Sequence, residues 1–172
     1  IIMNISGNTQ SILKAERLVL NCMQQMSAIA TKTNNISKKI SSTNTKILDT
    51  RKTIPLNRQI QKWAVKIGGG KNHRFALDDM IMIKDNHIDY CGGITQAIKK
   101  TKKYLKQNNL NLDIVVETRN IKEIKEVINE GGIKRILLDN FNFDDTRNAV
   151  KIIDNKFETE SSGGITETNI LK

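Results

Sequence analysis

Arg135-Ile136-Leu137-Leu138-Asp139-Asn140 is a short apolar run that ends on an acid and an amide. Residues 135–138 are too few for a helix and read as a strand, and residues 144–155 after them carry helical spacing. Working outward, the same strand-then-helix pair recurs at 112–117 with 120–129, at 80–83 with 94–107 and at 46–50 with 57–67. A last short strand is expected at 157–160, ahead of Gly163-Gly164-Ile165-Thr166. Strands that alternate with helices are joined by crossovers and therefore run parallel. Runs of this length with a helix after each close most naturally into a TIM-like barrel, with a doubly wound open sheet as the runner-up. About five such units are visible where a full barrel needs about six to eight and some 250 residues. The expected fold is thus an incomplete TIM-like α/β barrel.

Upstream of this array a helix is expected over residues 9–31, because Ile12, Ala15, Val19, Met23, Met26 and Ile29 or Ala30 recur at three- and four-residue spacing. Residues 32–45, rich in Ser, Thr, Asn and Lys, read as a polar connection. Residues 1–5 look strand-like, and the helix that Thr166 opens should be gathering an apolar face where the sequence stops. The chain therefore reads as a piece of a longer polypeptide.

Composition narrows the function. The 172 residues are 38% hydrophobic, enough for one sizeable core, so a disordered chain is excluded. No apolar run approaches the roughly 18–20 residues of a bilayer span, and a cytoplasmic location is expected. Cys22 and Cys91 stand far apart without a CxxC pair, and His73 and His87 lack metal-site spacing, so neither a disulfide framework nor a structural metal site is expected. The net charge of +10 is uneven: residues 1–110 carry 19 Lys and Arg against 6 Asp and Glu, and residues 111–172 carry 9 against 12. A basic first half suits nucleic acid or an anionic small molecule. Aromatics make up only 4%, which leaves few stacking platforms for single strands. The plain reading of Lys39, Lys99, Lys100, Lys102 and Lys103 is solvation of helix surfaces.

In parallel α/β folds ligands bind where loops leave the carboxyl ends of the strands. Those positions hold Thr50-Arg51-Lys52-Thr53, Lys84-Asp85-Asn86-His87, Glu117, Asp139-Asn140 and Ser162-Gly163-Gly164. Arg51, Lys52, Arg74 and Lys84, with His73, give a cationic rim. Arginine's planar fork suits carboxylates and lysine's point charge suits phosphates, so the implied substrate carries both. Glu117 and Asp139 would oppose such a substrate unless Mg²⁺ bridges a pyrophosphate to them or they bond sugar hydroxyls. The plainer reading has Asp139 capping the next helix or pairing with a lysine. Ser162 and Gly163, ahead of an expected helix start, could hold a phosphate. Gly68-Gly69-Gly70-Lys71 lacks the spacing of a P-loop.

Taken together, Lys14-Ala15-Glu16-Arg17, Asp49-Thr50-Arg51-Lys52-Thr53, Gly68-Gly69-Gly70 with Asn72-His73-Arg74-Phe75, Ile83-Lys84-Asp85-Asn86-His87-Ile88, Leu138-Asp139-Asn140-Phe141 and Ser162-Gly163-Gly164-Ile165-Thr166 resemble the quinolinate phosphoribosyltransferases. The motifs occur in family order along essentially the whole chain. A molybdenum-associated paralogue shares the TRKT string but departs from IKDNHI, so it is the weaker match. The resemblance implies an N-terminal α/β sandwich domain followed by an incomplete barrel, with residues 1–5 as the tail of the sandwich and residues 6–172 as a barrel domain truncated at its C-terminal side. It also implies a homodimer or an assembly of dimers, Mg²⁺ bound with phosphoribosyl pyrophosphate, and conversion of that donor and quinolinate to nicotinate mononucleotide, pyrophosphate and CO₂ on the de novo route to NAD.

By the same resemblance Arg51, His73 and Arg74 hold the quinolinate carboxylates, and Arg17 reaches the partner subunit's site. Lys52 and Lys84 contact the donor or a carboxylate, Glu117 and Asp139 the ribose and Mg²⁺-pyrophosphate region, and Ser162 with Gly163 the 5′-phosphate. Two departures stand out. The family's TRKTTPG becomes Thr50-Arg51-Lys52-Thr53-Ile54-Pro55-Leu56, which loses a turn glycine, and its Glu-Val-Glu becomes Val115-Val116-Glu117. A basic nucleic-acid-binding module, with its charge along an open face rather than in a pocket, is the competing class.

Overall fold

The computed structural model describes residues 1–171, which form two compact units, residues 1–75 and 76–170. In the first, α1 (Thr9–Lys39) packs on α2 (Arg58–Ile67). Asn8 caps α1 by accepting the Ser11 N–H at 3.1 Å. The helix runs eight residues past the expected end at 31, so most of the predicted connection is helical. The reason is tertiary. Thr33 is buried against the glycine stretch after α2, where a Cβ on Gly68 would lie 2.5 Å from the Ala30 carbonyl and one on Gly70 2.9 Å from Thr33 Cγ2. The Gly68-Gly69-Gly70 run thus serves close helix approach. The apolar stripe of α1 is only half used: Met23, Met26, Ile29 and Ala30 are half-buried, whereas Ala15 and Val19 lie exposed.

Two other expectations for this unit need correction. Residues 1–5 form no strand; they are exposed and irregular. The strand expected at 46–50 is a single parallel bridge, Leu48 to Lys71, framed by Lys71 N–H to Ile47 O at 2.8 Å and Asp49 N–H to Lys71 O at 3.2 Å.

The second unit is a parallel sheet of β1 (Ile81–Ile83), β2 (Ile114–Thr118), β3 (Arg135–Asp139) and β4 (Glu158–Ser162) in the order β1-β2-β3-β4. Strand order follows chain order without reversal, which is barrel winding and removes the doubly wound alternative. Between the strands run α3 (Asp85–Cys91), α4 (Ile94–Gln107), α5 (Ile121–Glu130) and α6 (Phe143–Ile153). The short α3 went unread in the sequence. Asn120 and Asn142 cap α5 and α6 by accepting the Glu123 and Asp145 N–H groups. β2, Ile-Val-Val-Glu-Thr, is buried at every position, as a central parallel strand covered on both faces should be. Ile83, Val116, Ile136 and Leu138 form the helix-side core with Ile98, Ile124 and Ile153. Lys99 and Lys102 do more than solvate α4: both pair with Glu130 of α5, at 3.8 and 3.0 Å.

Candidate active site

In the first unit the Leu48–Lys71 bridge runs parallel, so the TRKT and NHR strings leave it in step, Arg51 and Arg74 each three residues beyond it. Asp49 binds the two strings together. Its carboxylate accepts from the Lys62 ammonium, from Asn72 Nδ2 and, at 2.9 Å, from the His73 backbone N–H. Lys62, buried on α2, also donates to the Arg74 carbonyl at 3.3 Å. One turn earlier, Arg58 donates to the Arg51 carbonyl at 3.4 Å and the Phe75 carbonyl at 3.1 Å. His73 Nδ1 accepts the Arg74 N–H at 2.7 Å, which puts the proton of the neutral ring on Nε2. Arg51 is half-buried, and its Nε is buried without an acceptor among the described residues. An unsatisfied buried donor of this kind costs about 1–3 kcal/mol, which an anionic ligand would recover. Lys52 projects into solvent, and Arg17 is exposed on the first half of α1.

In the second unit strand register does the gathering. Ile83 pairs with Val116, so Lys84 falls beside Glu117, and its Nζ donates to Glu117 Oε2 at 3.0 Å; the carboxylate side chain is 11% exposed and the lysine 44%. Glu117 is in register with Leu137, and Asp139 with Ser162. Side chains two apart along a strand share a face, so Glu117, Asp139 and Ser162 lie on the face opposite the helix-side core. Asn140 (φ 57°) donates its side-chain amide to Asp139 Oδ2 at 2.9 Å and its backbone N–H to the Ser162 carbonyl at 2.8 Å. Gly163 sits at φ +83°, where a Cβ would be 2.1 Å from Asn140 Oδ1, so any larger residue is strained and must displace the Asn140 amide. At the opposite end of this face Arg135 is spent on Glu158 and Glu160, at 2.6 and 2.9 Å. Burial pulls its pKa down, but those hydrogen bonds and charges outweigh it and hold the guanidinium above its ordinary value.

The family-model comparison matches residues 29–172 to the quinolinate phosphoribosyl transferase C-terminal domain. The chain belongs to this family. The chloroplastic nicotinate-nucleotide pyrophosphorylase [carboxylating] of Arabidopsis thaliana is 47% identical over 182 residues, a span of 98% of this chain and 52% of that protein. The probable nicotinate-nucleotide pyrophosphorylase of Methanocaldococcus jannaschii is 43% identical, over 99% of this chain and 62% of that one. The solved nicotinate-nucleotide pyrophosphorylase of Francisella tularensis superposes with a TM-score of 0.88 at 45% identity, covering 96% of this chain and 57% of that one. The chain spans about half the length of the curated relatives it matches.

In this quinolinate phosphoribosyl transferase domain, sequence reasoning missed Asp49, Arg58 and Lys62, which touch the backbone of the predicted residues, and Asn72, which bonds the Asp49 carboxylate and the Lys62 carbonyl. Asp49 and Asn72 stand inside the recognised strings, and Arg58 and Lys62 are cations one turn apart on a helix whose neighbouring Ala64 is buried. That pattern is the signal that could have found them. The helix expected from Thr166 is a single turn among the described residues, with the Ile170 N–H on the Thr166 carbonyl at 3.1 Å. The 5′-phosphate expectation therefore rests on Ser162, Gly163 and the loop alone. A cleft of about 450 Å³ lined by Asp89, Arg119, Asn120, Glu123 and other residues includes none of the predicted site residues. Its Arg119 is engaged by Glu123 and Asp89, at 2.7 and 3.3 Å. Among the described residues no three His, Cys, Asp or Glu side chains converge on a metal position, and no helix is long and apolar enough to cross a membrane. The expected cytoplasmic location is not a family property, because the Arabidopsis relative is named chloroplastic.

Proposed function

We propose that this chain carries the barrel-borne residues of an enzyme that joins quinolinate to the ribose of phosphoribosyl pyrophosphate and releases pyrophosphate and CO₂, giving nicotinate mononucleotide. The observation that carries the reading is the Arg51 guanidinium, held half-buried with an Nε that finds no acceptor, in step with Arg74 on a neighbouring string. Two forked cations, with a histidine next to the second of them in the chain, suit a planar diacid. The names of the relatives supply the reaction. The nucleic-acid reading is weaker, because Lys62, Lys84, Lys99 and Lys102 are all paired with carboxylates.

In this account Arg51, His73 and Arg74 hold the carboxylates of the diacid and so orient its ring nitrogen for attack, and positioning supplies most of the rate. Lys84, steadied by Glu117, offsets charge on the departing pyrophosphate, and Lys52 adds a mobile cation. Glu117 or Asp139 stabilises the positive ribose as the glycosidic bond to pyrophosphate breaks. Ser162 and Gly163 anchor the 5′-phosphate. Mg²⁺, bound with the donor, would supply charge neutralisation at the pyrophosphate. One accessible carboxylate, Asp139, fits an ion that keeps its waters and is held chiefly by substrate phosphates. After transfer the quaternised ring nitrogen stabilises the electron pair left on the adjacent ring carbon as its bond to the carboxylate breaks and CO₂ leaves; that carbon then takes a proton from water, and no protein nucleophile is needed. A homodimer in which Arg17 completes the partner's site is supported by the exposed Leu13, Leu18 and Leu20 around it.

Arg51→Ala in the complete protein tests the reading. Quinolinate binding by calorimetry is expected to be lost with the fold intact by circular dichroism, and unchanged affinity would overturn the assignment.

A further inference from the structure

Asp49 and Lys62 are a buried ion pair, with side-chain exposures of 6% and 5%, inside a unit whose other lysines reach solvent. Burying two charges is costly, and replacement by apolar residues of similar volume is often neutral or stabilising. Stability alone is therefore a poor explanation for the pair. Its hydrogen bonds suggest a different one. Each partner spends its remaining capacity on the backbone that carries the candidate quinolinate residues: Asp49 accepts from His73 N–H at 2.9 Å, and Lys62 donates to the Arg74 carbonyl at 3.3 Å. Asn72 closes the ring, with Nδ2 donating to the Asp49 carboxylate and to the Lys62 carbonyl at 2.9 Å. Asp49 itself stands two residues before Arg51. The ring thus ties together the starts of both cationic strings and the helix behind them.

We infer that Asp49 and Lys62, linked by Asn72, are positioning residues: they fix the spacing of Arg51 against His73 and Arg74, and with it the fit to a planar dicarboxylate, without touching the substrate themselves. The inference rests on the function proposed above and deepens it at the same site. Its mechanism is geometric, since displacement of a binding group by about 1 Å costs on the order of a hundredfold where orientation carries the rate. Of the donor's proposed holders only Lys52, an exposed side chain that makes no bond to the ring, belongs to the first unit; Lys84, Glu117, Asp139, Ser162 and Gly163 belong to the second, so donor binding is largely independent of the ring.

The test uses the complete protein with Asp49→Asn and with the double variant Asp49→Asn/Lys62→Met, which removes both charges and keeps the volume. Thermal denaturation, quinolinate affinity by calorimetry, and separate KM values for quinolinate and phosphoribosyl pyrophosphate are measured. Asp49→Asn leaves Lys62 buried and unpaired, so it is expected to be the less stable variant, and the double variant to regain most of the loss. If Asp49→Asn does not fold, the double variant carries the test. Quinolinate Kd and KM are expected to rise tenfold or more in every variant that folds, and in the stable double variant above all, while donor KM stays within about threefold. A double variant with unaltered quinolinate affinity, or one in which both KM values move together, would overturn the inference. Failure of the unsubstituted protein to bind quinolinate would instead overturn the proposed function, and the inference with it.

Discussion

Replacing Gly163 by alanine should damage the second unit more than the same change one residue later, and the difference measures how closely the β3 and β4 loops pack. Gly163 has φ +83° and Gly164 φ +66°, so both substitutions carry the left-handed backbone penalty of about 1–2 kcal/mol, less about 0.5–1 kcal/mol regained from the stiffer unfolded chain. The surroundings differ. Nothing lies within 4 Å of a Cβ on Gly164, whereas one on Gly163 meets Asn140 Oδ1 at 2.1 Å, Cγ at 2.6 Å and the backbone N at 3.1 Å. Rotation of the Asn140 amide relieves the first two contacts but breaks its bond to Asp139. Relief of the third strains the Asn140 N–H to Ser162 carbonyl bond, worth about 1 kcal/mol. We expect Gly163→Ala to cost about 2 kcal/mol and Gly164→Ala about half that. Urea denaturation followed by circular dichroism gives both values. Because Asp139 loses its amide neighbour, donor KM should also rise about tenfold in Gly163→Ala alone. Equal stabilities for the two variants would refute the packing argument.

Leu56 holds φ +65° with its side chain fully in solvent, at the position where the family's turn has glycine. Leu56→Gly removes a left-handed penalty of about 1–2 kcal/mol against a chain-entropy cost of about 0.5–1 kcal/mol, so it should stabilise by roughly 0.5–1 kcal/mol in denaturant titration, and destabilisation would count against the turn as described. Lys84→Ala removes the cation that Glu117 holds at 3.0 Å and should lower kcat by at least a hundredfold in steady-state assays, with near-normal kinetics contradicting its role at the leaving group.

Much of the fold was legible because βα alternation is a local signal: the strands at 81–83, 114–118 and 135–139 and the helices α4, α5 and α6 fall within two residues of where period and turn residues put them. What was not legible depended on contacts distant in sequence. Residues 32–39 carry few apolar groups and read as a linker, yet they are helical because Thr33 meets Gly68 and Gly70. The glycine run could be excluded as a P-loop, but its packing role needed the helix lying on it. Lys62 looks like any surface lysine until Asp49, thirteen residues earlier, is seen to reach it. The rim itself was read from strand ends. Register sets Lys84 beside Glu117, a pairing the strand ends alone did not give, and the ring behind Arg51 and Arg74 showed only as Asp49 and Asn72 inside recognised strings and as a cation one turn from another on a helix.

Incubating the complete protein with quinolinate, phosphoribosyl pyrophosphate and Mg²⁺, and following nicotinate mononucleotide by chromatography alongside released CO₂, puts the whole reading at risk in a single assay. Equimolar nucleotide and CO₂, dependent on both substrates and abolished by Arg51→Ala, is the predicted result; a folded protein that consumes neither substrate, or one whose turnover ignores Arg51, would contradict it.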